Sequence, residues 1–355
     1  MIQGTKPAVL VQKSAPQQRR IKKNIRGWTA WLILIAGSGA LLLLMAFSVA
    51  KGAAEIPMQT VWEALTRFDK DNMHHLIIVD LRIPRVLASA LVGAALAVAG
   101  AIMQGTTRNP MADSGLMGLN AGAGVALSVC FAFFPGVSYL QTVLFSFLGA
   151  ALGAALVNGI AALRRGGATP MRLVLAGAAV SSLLAALSQG IAIYFEVARD
   201  IMFWTAGGVA GSSWEQLRVI APWALCGLLG AFLLSRQVSL LSLGEDVAKG
   251  LGLNTTAVGL LCSLVVLVLA GESVSVVGAV GFVGLMVPHL ARYLVGVDYR
   301  WIIPSSAVLG ALLMVLADLG ARMLNPPFET PIGALIALAG VPFFLYLSRR
   351  QRRMH

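Results

Sequence analysis

Few residues in this chain have the type and spacing for chemistry, and none of these sets is catalytic. His289 follows Pro288 in an apolar stretch, and His74-His75 stands in a polar segment with no other ligand nearby. Neither has the spacing of a metal site, and a histidine inside an apolar span serves more often as a structural hydrogen-bond partner. Cys130, Cys226 and Cys262 lie in apolar runs with no disulfide or metal spacing, so they read as small apolar fillers. No nucleophile–base pair is visible, and no G-x-x-x-x-G-K-[ST] phosphate loop occurs, so nucleotide hydrolysis is not encoded here. The remaining polar sets suit recognition. Asp80-Leu81-Arg82-Ile83-Pro84-Arg85 opens an apolar run, and Arg322 closes another; such arginines anchor to lipid headgroups or meet an acidic partner. In the 104–120 segment Asn109-Pro110 stops a helix, and Asp113-Ser114 can cap the next one. The 242–254 segment has short-helix propensity between glycines, with Val247, Leu251 and Leu253 too few for a span. It fits either a capped surface helix or a docking helix that inserts into a partner.

The elements that position these residues follow from composition. Of 355 residues, 58% are hydrophobic and 12% charged, against roughly 25% charged in soluble domains. The apolar residues come in long blocks, so a soluble enzyme is excluded. Ten segments are long and apolar enough to cross a bilayer, near 28–50, 84–105, 114–134, 138–163, 171–195, 217–235, 255–272, 276–296, 302–321 and 331–348. The expected fold is therefore all-α, a polytopic membrane protein with about ten transmembrane helices over 28–348. Basic tails flank it at 1–27 and 349–355. Counting Lys and Arg in alternate loops puts 19 of the 27 on the side of both tails, which places both termini in the cytoplasm. The net charge of +12 is thus a topology signal, not a nucleic-acid footprint. The 1–27 tail is expected to be flexible and near anionic lipid.

The first apolar run, with Ser48-Val49-Ala50 as a cleavage site, also has the outline of a signal peptide, but it is longer than a usual signal core and is expected to stay as a span. Gly93, Ala97 and Gly100 share one helix face, and Gly118/Gly122 and Gly149/Gly153 repeat the four-residue spacing, as in tight helix packing in lipid. Ser181, Ser188 and Gln189 share a broad face of the fifth span, which fits either a mildly polar path or interhelical hydrogen bonds. Ionisable residues fall at predicted span ends, among them Glu196, Glu272, Asp318 and Arg322. With no carboxylate expected near a span centre, ion-coupled transport is disfavoured and the energy is expected from another subunit.

Together these segments carry a resemblance. The chain resembles the permease subunit of the ABC importers for iron–siderophores, haem and vitamin B12. The resemblance rests on Arg82-Ile83-Pro84-Arg85, on Met103-Gln104 with 108–113, on 118–122, 244–252 and 281–292, and on Pro331-Ile332-Gly333, in order over 55–348. Ser114 departs from a common proline, and a helix start tolerates either. The resemblance implies a second permease subunit, of the same or a related chain, around a central path. It also implies two cytoplasmic ATPase subunits that bind ATP and Mg, an extracytoplasmic binding protein, and no cofactor on this chain. By position, Gly244, Glu245, Asp246, Val247, Ala248, Lys249, Gly250, Leu251 and Gly252 are then the ATPase-coupling helix. Arg82, Arg85 and Arg322 receive acidic residues of the binding protein. Asn109, Met111, Thr169 and Met171 gate the path at its inner end, and Ser181, Ser188 and Gln189 line it. Iron(III)–siderophore is the expected cargo, with haem or vitamin B12 as alternatives and an ATPase-independent secondary transporter as a more distant one. The expected site is the bacterial cytoplasmic membrane.

Overall fold

The computed structural model describes residues 25–52, 56–113, 115, 118–162, 170–206, 208–325, 328 and 330–352. Every regular element among them is a helix. In chain order they are α1 (Ile25–Ala50), α2 (Met58–Thr66), α3 (Met73–Leu76), α4 (Ile83–Thr107), α5 (Leu119–Phe133), α6 (Tyr139–Ala162) and α7 (Pro170–Tyr194). Then follow α8 (Ala198–Ala206), α9 (Trp214–Ser242), α10 (Glu245–Gly250), α11 (Thr255–Val277), α12 (Val283–Val295), α13 (Tyr299–Met323) and α14 (Ile332–Arg352). A π-helical turn, Ile77–Arg82, joins α3 to α4, just ahead of Pro84, which has no amide hydrogen to donate.

Among the described residues, seven helices are long and apolar enough to cross a membrane, and three shorter apolar ones accompany them: Leu119–Phe133, Val283–Val295 and Ile332–Tyr346. α5 and α12 reach only about 22 and 20 Å, short of the roughly 30 Å hydrocarbon thickness. Each is preceded by chain outside the α-helices, 108–113 and 278–282 among the described residues. Non-helical backbone at membrane depth requires protein around it. Ala112, Gly278 and Val280 are buried accordingly, and Gly208 donates its amide to the Val277 carbonyl at 2.9 Å.

α4 forms the axis of the bundle, packed by α13, α11, α9 and α12. Its alanines and glycines permit this: a β-carbon at Gly100 would overlap the backbone of Gly284 in α12, and one at Gly93 that of Gly310 in α13. Gly122 of α5 meets Gly149 of α6 in the same way. The outer faces of α6, α7, α9 and α11 present leucines such as Leu148, Leu152, Leu183, Leu229 and Leu260 outward, where lipid is their natural solvent.

The sequence misplaces one boundary. Glu272 was expected to break the chain between two spans, but α11 continues through it to Val277 and the break falls at 278–282. Gly278 there ends α11 at a φ of 68°, and Phe282, at a left-handed φ of 67°, is the residue from which α12 starts. Glu272 is therefore inside a helix and fully buried. Ser273 donates to its Oε1 at 3.4 Å, and Oε2 has no hydrogen-bond partner among the described residues. The short helices α2, α3 and α8 were not expected either.

Candidate functional site

Three places on this scaffold gather the polar residues. At the start of α4, Arg85 donates from Nε to Asp318 Oδ1 of α13 at 2.8 Å, and Arg322, one turn on, lies 3.1 Å from Asp318 Oδ2. Arg82 donates to the carbonyls of Val49 and Ala50 at 2.7 and 2.9 Å. Arg322 donates to the carbonyls of Ser48 and Lys51, both at 3.1 Å, and to Ser48 Oγ. Residues 48–51 end α1, so their carbonyls have no intrahelical donor, and the two guanidinia supply one. The cluster locks α1, α4 and α13 together. It also encloses Ser48, Val49 and Ala50 at the end of α1, all three buried.

The cluster contains the three arginines expected to receive acidic residues of a binding protein. Arg82, Arg85 and Arg322 are each at most 8% exposed. The physical reason is that buried Asp318 and the α1 carbonyls would be unpaired without them.

The second place is a cavity of about 480 Å³ where α5, α7 and α8 meet the 278–282 chain. Ser188 and Gln189 of α7 line it, with Asn120 of α5, Trp204 of α8 and Ala279. Ser188 is also hydrogen-bonded to Ser128 of α5 at 2.7 Å, so it does both things the sequence left open, lining and interhelical bonding. Trp204 Nε1 is buried without a hydrogen-bond partner among the described residues. Half-buried Ser181 does not line this cavity. Asn120, Trp204 and α8 were missed, and a nine-residue helix between two spans gives no hydropathy signal to find them by.

Of the gate residues, Asn109 accepts the Met111 amide at 3.0 Å within a turn closed by Ala112 N to Asn109 O at 3.1 Å. Both residues are half-buried. The turn follows Arg108, whose left-handed φ of 54° ends α4 and folds the chain back until Asp113 faces Gly284. Thr169 lies outside the described residues, and Met171 is placed by its backbone in the first turn of α7.

The third place is α10, at the opposite end of the bundle from the arginine cluster. Six residues do not make a stable helix alone, so its ends are fixed. Gly244 enters it with a φ of 123°, a value other residues rarely adopt. Gly252, at a φ of 80°, closes a Schellman motif: Leu253 N bonds Ala248 O at 3.0 Å, and Gly252 N bonds Lys249 O at 2.9 Å. Asn254 then caps α11 through Ala257 N at 3.0 Å. Ala248 is buried against the bundle, while Val247 and Leu251 are exposed, as is Leu243 just before the helix. Glu245 pairs with Lys249 at 2.9 Å, which holds its carboxyl below the usual range and raises the lysine. The result is a rigid knob with an apolar tip and charged flanks.

A model of the FecCD transport family matches residues 40–350. The chain belongs to this family. One FecCD relative, the iron(3+)-hydroxamate import system permease protein FhuB of Bacillus subtilis, is 54% identical over 333 residues, covering 94% of this chain and 87% of that one. The hemin transport system permease protein HmuU of Yersinia pestis is 38% identical, over 88% of this chain and 94% of its own length. Among solved structures, an inward-facing conformation of a metal-chelate type ABC transporter superposes with a TM-score of 0.76 at 30% identity, covering 90% of this chain and 99% of that one. A multi-pass, non-catalytic permease is what the family and the helices have in common.

Proposed function

We propose that this chain is the membrane-spanning subunit of an ATP-driven importer that carries iron(III)–siderophore complexes, of the hydroxamate class, into the cytoplasm. The observation that carries the cargo is the 54% identity to the hydroxamate permease over nearly the whole chain. The α10 knob supports the mechanism: a rigid, exposed apolar tip on a small-residue base suits insertion into a cleft of a cytoplasmic ATPase, which binds ATP and Mg. Each ATPase subunit then pushes on α10, and α10 moves the ends of α9 and α11 to which it is tied. Two permease chains, identical or related, enclose the path. The α5–α7–α8 cavity with Ser188 and Gln189 lies along it, and Asn109, Met111, Thr169 and Met171 stand at its inner end. A lining of weak dipoles without fixed charge lets a large complex slide without being held.

Both termini lie in the cytoplasm in this account, and the chain sits in the bacterial cytoplasmic membrane. Arg82, Arg85 and Arg322 fix the shape and the field of the outer mouth from below its surface. An acidic binding protein then meets a preset rim, with encounter rate and register as the main gains. The similarity to the hemin permease supports a second reading, in which haem is the cargo of the same machine. Labelled ferric hydroxamate uptake into proteoliposomes, with the partner ATPase and binding protein present, distinguishes the two. Uptake that excess haemin does not inhibit is expected, whereas haemin uptake without ferric hydroxamate uptake would replace the first reading by the second.

A further inference from the structure

At the α10 end of the bundle, a cavity of about 900 Å³ lies between the ends of α4 and α9 and the α12–α13 turn. Four arginines line it, Arg108, Arg236, Arg292 and Arg300, against one carboxylate, Asp298. Arg300 grips that carboxylate with two donors, at 3.0 and 2.7 Å. Burial alone would push the Asp298 carboxyl up, but the Arg300 hydrogen bonds and charge hold it below its usual range, so it is ionised and already paired. Arg292 is oriented by Tyr299 Oη at 2.8 Å and by Gln104 Oε1 at 3.3 Å. Among the described residues, Arg108, Arg236 and Arg292 form no ion pair. The C-termini of α4, α9 and α12 and the N-terminus of α13 converge here, and their dipoles sum to roughly one negative charge. Three guanidinia outweigh that, so the cavity is positive.

Part of its lining is apolar and open to the outside. Leu243 and Val297, 63% and 70% exposed, and half-buried Leu240 flank the arginines. A soluble anion would leave these side chains in water, whereas an acyl chain would cover them. We propose that this cavity holds the headgroup phosphate of an anionic phospholipid of the cytoplasmic leaflet. Guanidinium forks match phosphate oxygens in pairs, and basic pockets between span ends suit such headgroups. A consequence follows for α10: Arg108 stands beside Gly244, and Leu243 leads into the knob, so a bound headgroup steadies the base on which α10 moves. The leaflet assignment rests on the orientation given under the proposed function.

The test uses the full chain in phosphatidylcholine nanodiscs titrated with phosphatidylglycerol and read by native mass spectrometry. Wild type is expected to retain phosphatidylglycerol. The Arg108→Gln/Arg236→Gln double variant should lose affinity about tenfold or more. Both side chains are exposed, and an unchanged melting temperature in pure phosphatidylcholine checks the fold. Arg67→Gln, at the other end, should bind as wild type does. Equal retention by the double variant would overturn the proposal, and so would displacement of the lipid by inorganic phosphate at matching concentration. Displacement by the ATPase subunit would assign the cavity to a protein partner instead. No transport readout is involved, so this result and the import reading stand or fall separately.

Discussion

At the scale of single residues, Arg85 ties α4 to α13. Its guanidinium pairs with Asp318, a carboxylate with no exposure at all, and removing it leaves that buried carboxylate with Arg322 as its one remaining cation in the cluster. Breaking a buried pair costs up to about 3–5 kcal/mol. Arg85→Ala should therefore lower the melting temperature of the detergent-purified chain markedly. Arg67→Ala, on an exposed residue, should leave it within about 0.5 kcal/mol of wild type. A melting temperature unchanged in Arg85→Ala would show that the Asp318 cluster does not hold α4 to α13. The type and position of these arginines were legible in the sequence, but their burial was not. It depends on the α1 carbonyls, more than 270 residues from Arg322, coming to rest against them.

At the scale of elements, α10 is where sequence and structure agree best. Its two flanking glycines sit at positive φ, and a rule that acts within a few residues is readable from a few residues. The α11–α12 break shows the opposite. Glu272-Ser273 looks like a polar interruption, yet a helix continues through it because its backbone bonds are all internal and Ser273 meets the carboxylate. The element ends at Gly278, its C-cap, and the left-handed Phe282 from which α12 starts packs against Gly340 of α14, a contact that no local pattern announces. Changing Glu245 and Asp246 together to leucine should keep the Schellman-closed helix but abolish its charged flank. ATP hydrolysis by the assembled transporter should then continue while uptake falls at least about tenfold, as seen by measuring both rates on the same proteoliposomes. Full coupling in that variant would remove α10 from the transmission path.

At the scale of the molecule, the chain in the proposed importer is a passive conduit whose opening is driven from outside it. The alanine- and glycine-lined α4 axis, the weakly polar α5–α7–α8 cavity and the exposed α10 knob are consistent with each other in this respect. Buried Glu272 could argue otherwise, since a carboxylate inside a span is a natural ion site; Asp318, equally buried in α13, is already paired with Arg85 and Arg322. Within α11 the Oε1 of Glu272 accepts a hydrogen bond from Ser273 at 3.4 Å. The decisive measurement is ferric hydroxamate uptake into proteoliposomes that hold the chain, its ATPase and its binding protein. It is made once with ATP and collapsed proton and sodium gradients, and once with gradients and no ATP, for wild type and Glu272→Gln. Uptake with ATP alone, equal in both chains, is the predicted result. Accumulation driven by a gradient without ATP, and lost in Glu272→Gln, would contradict it.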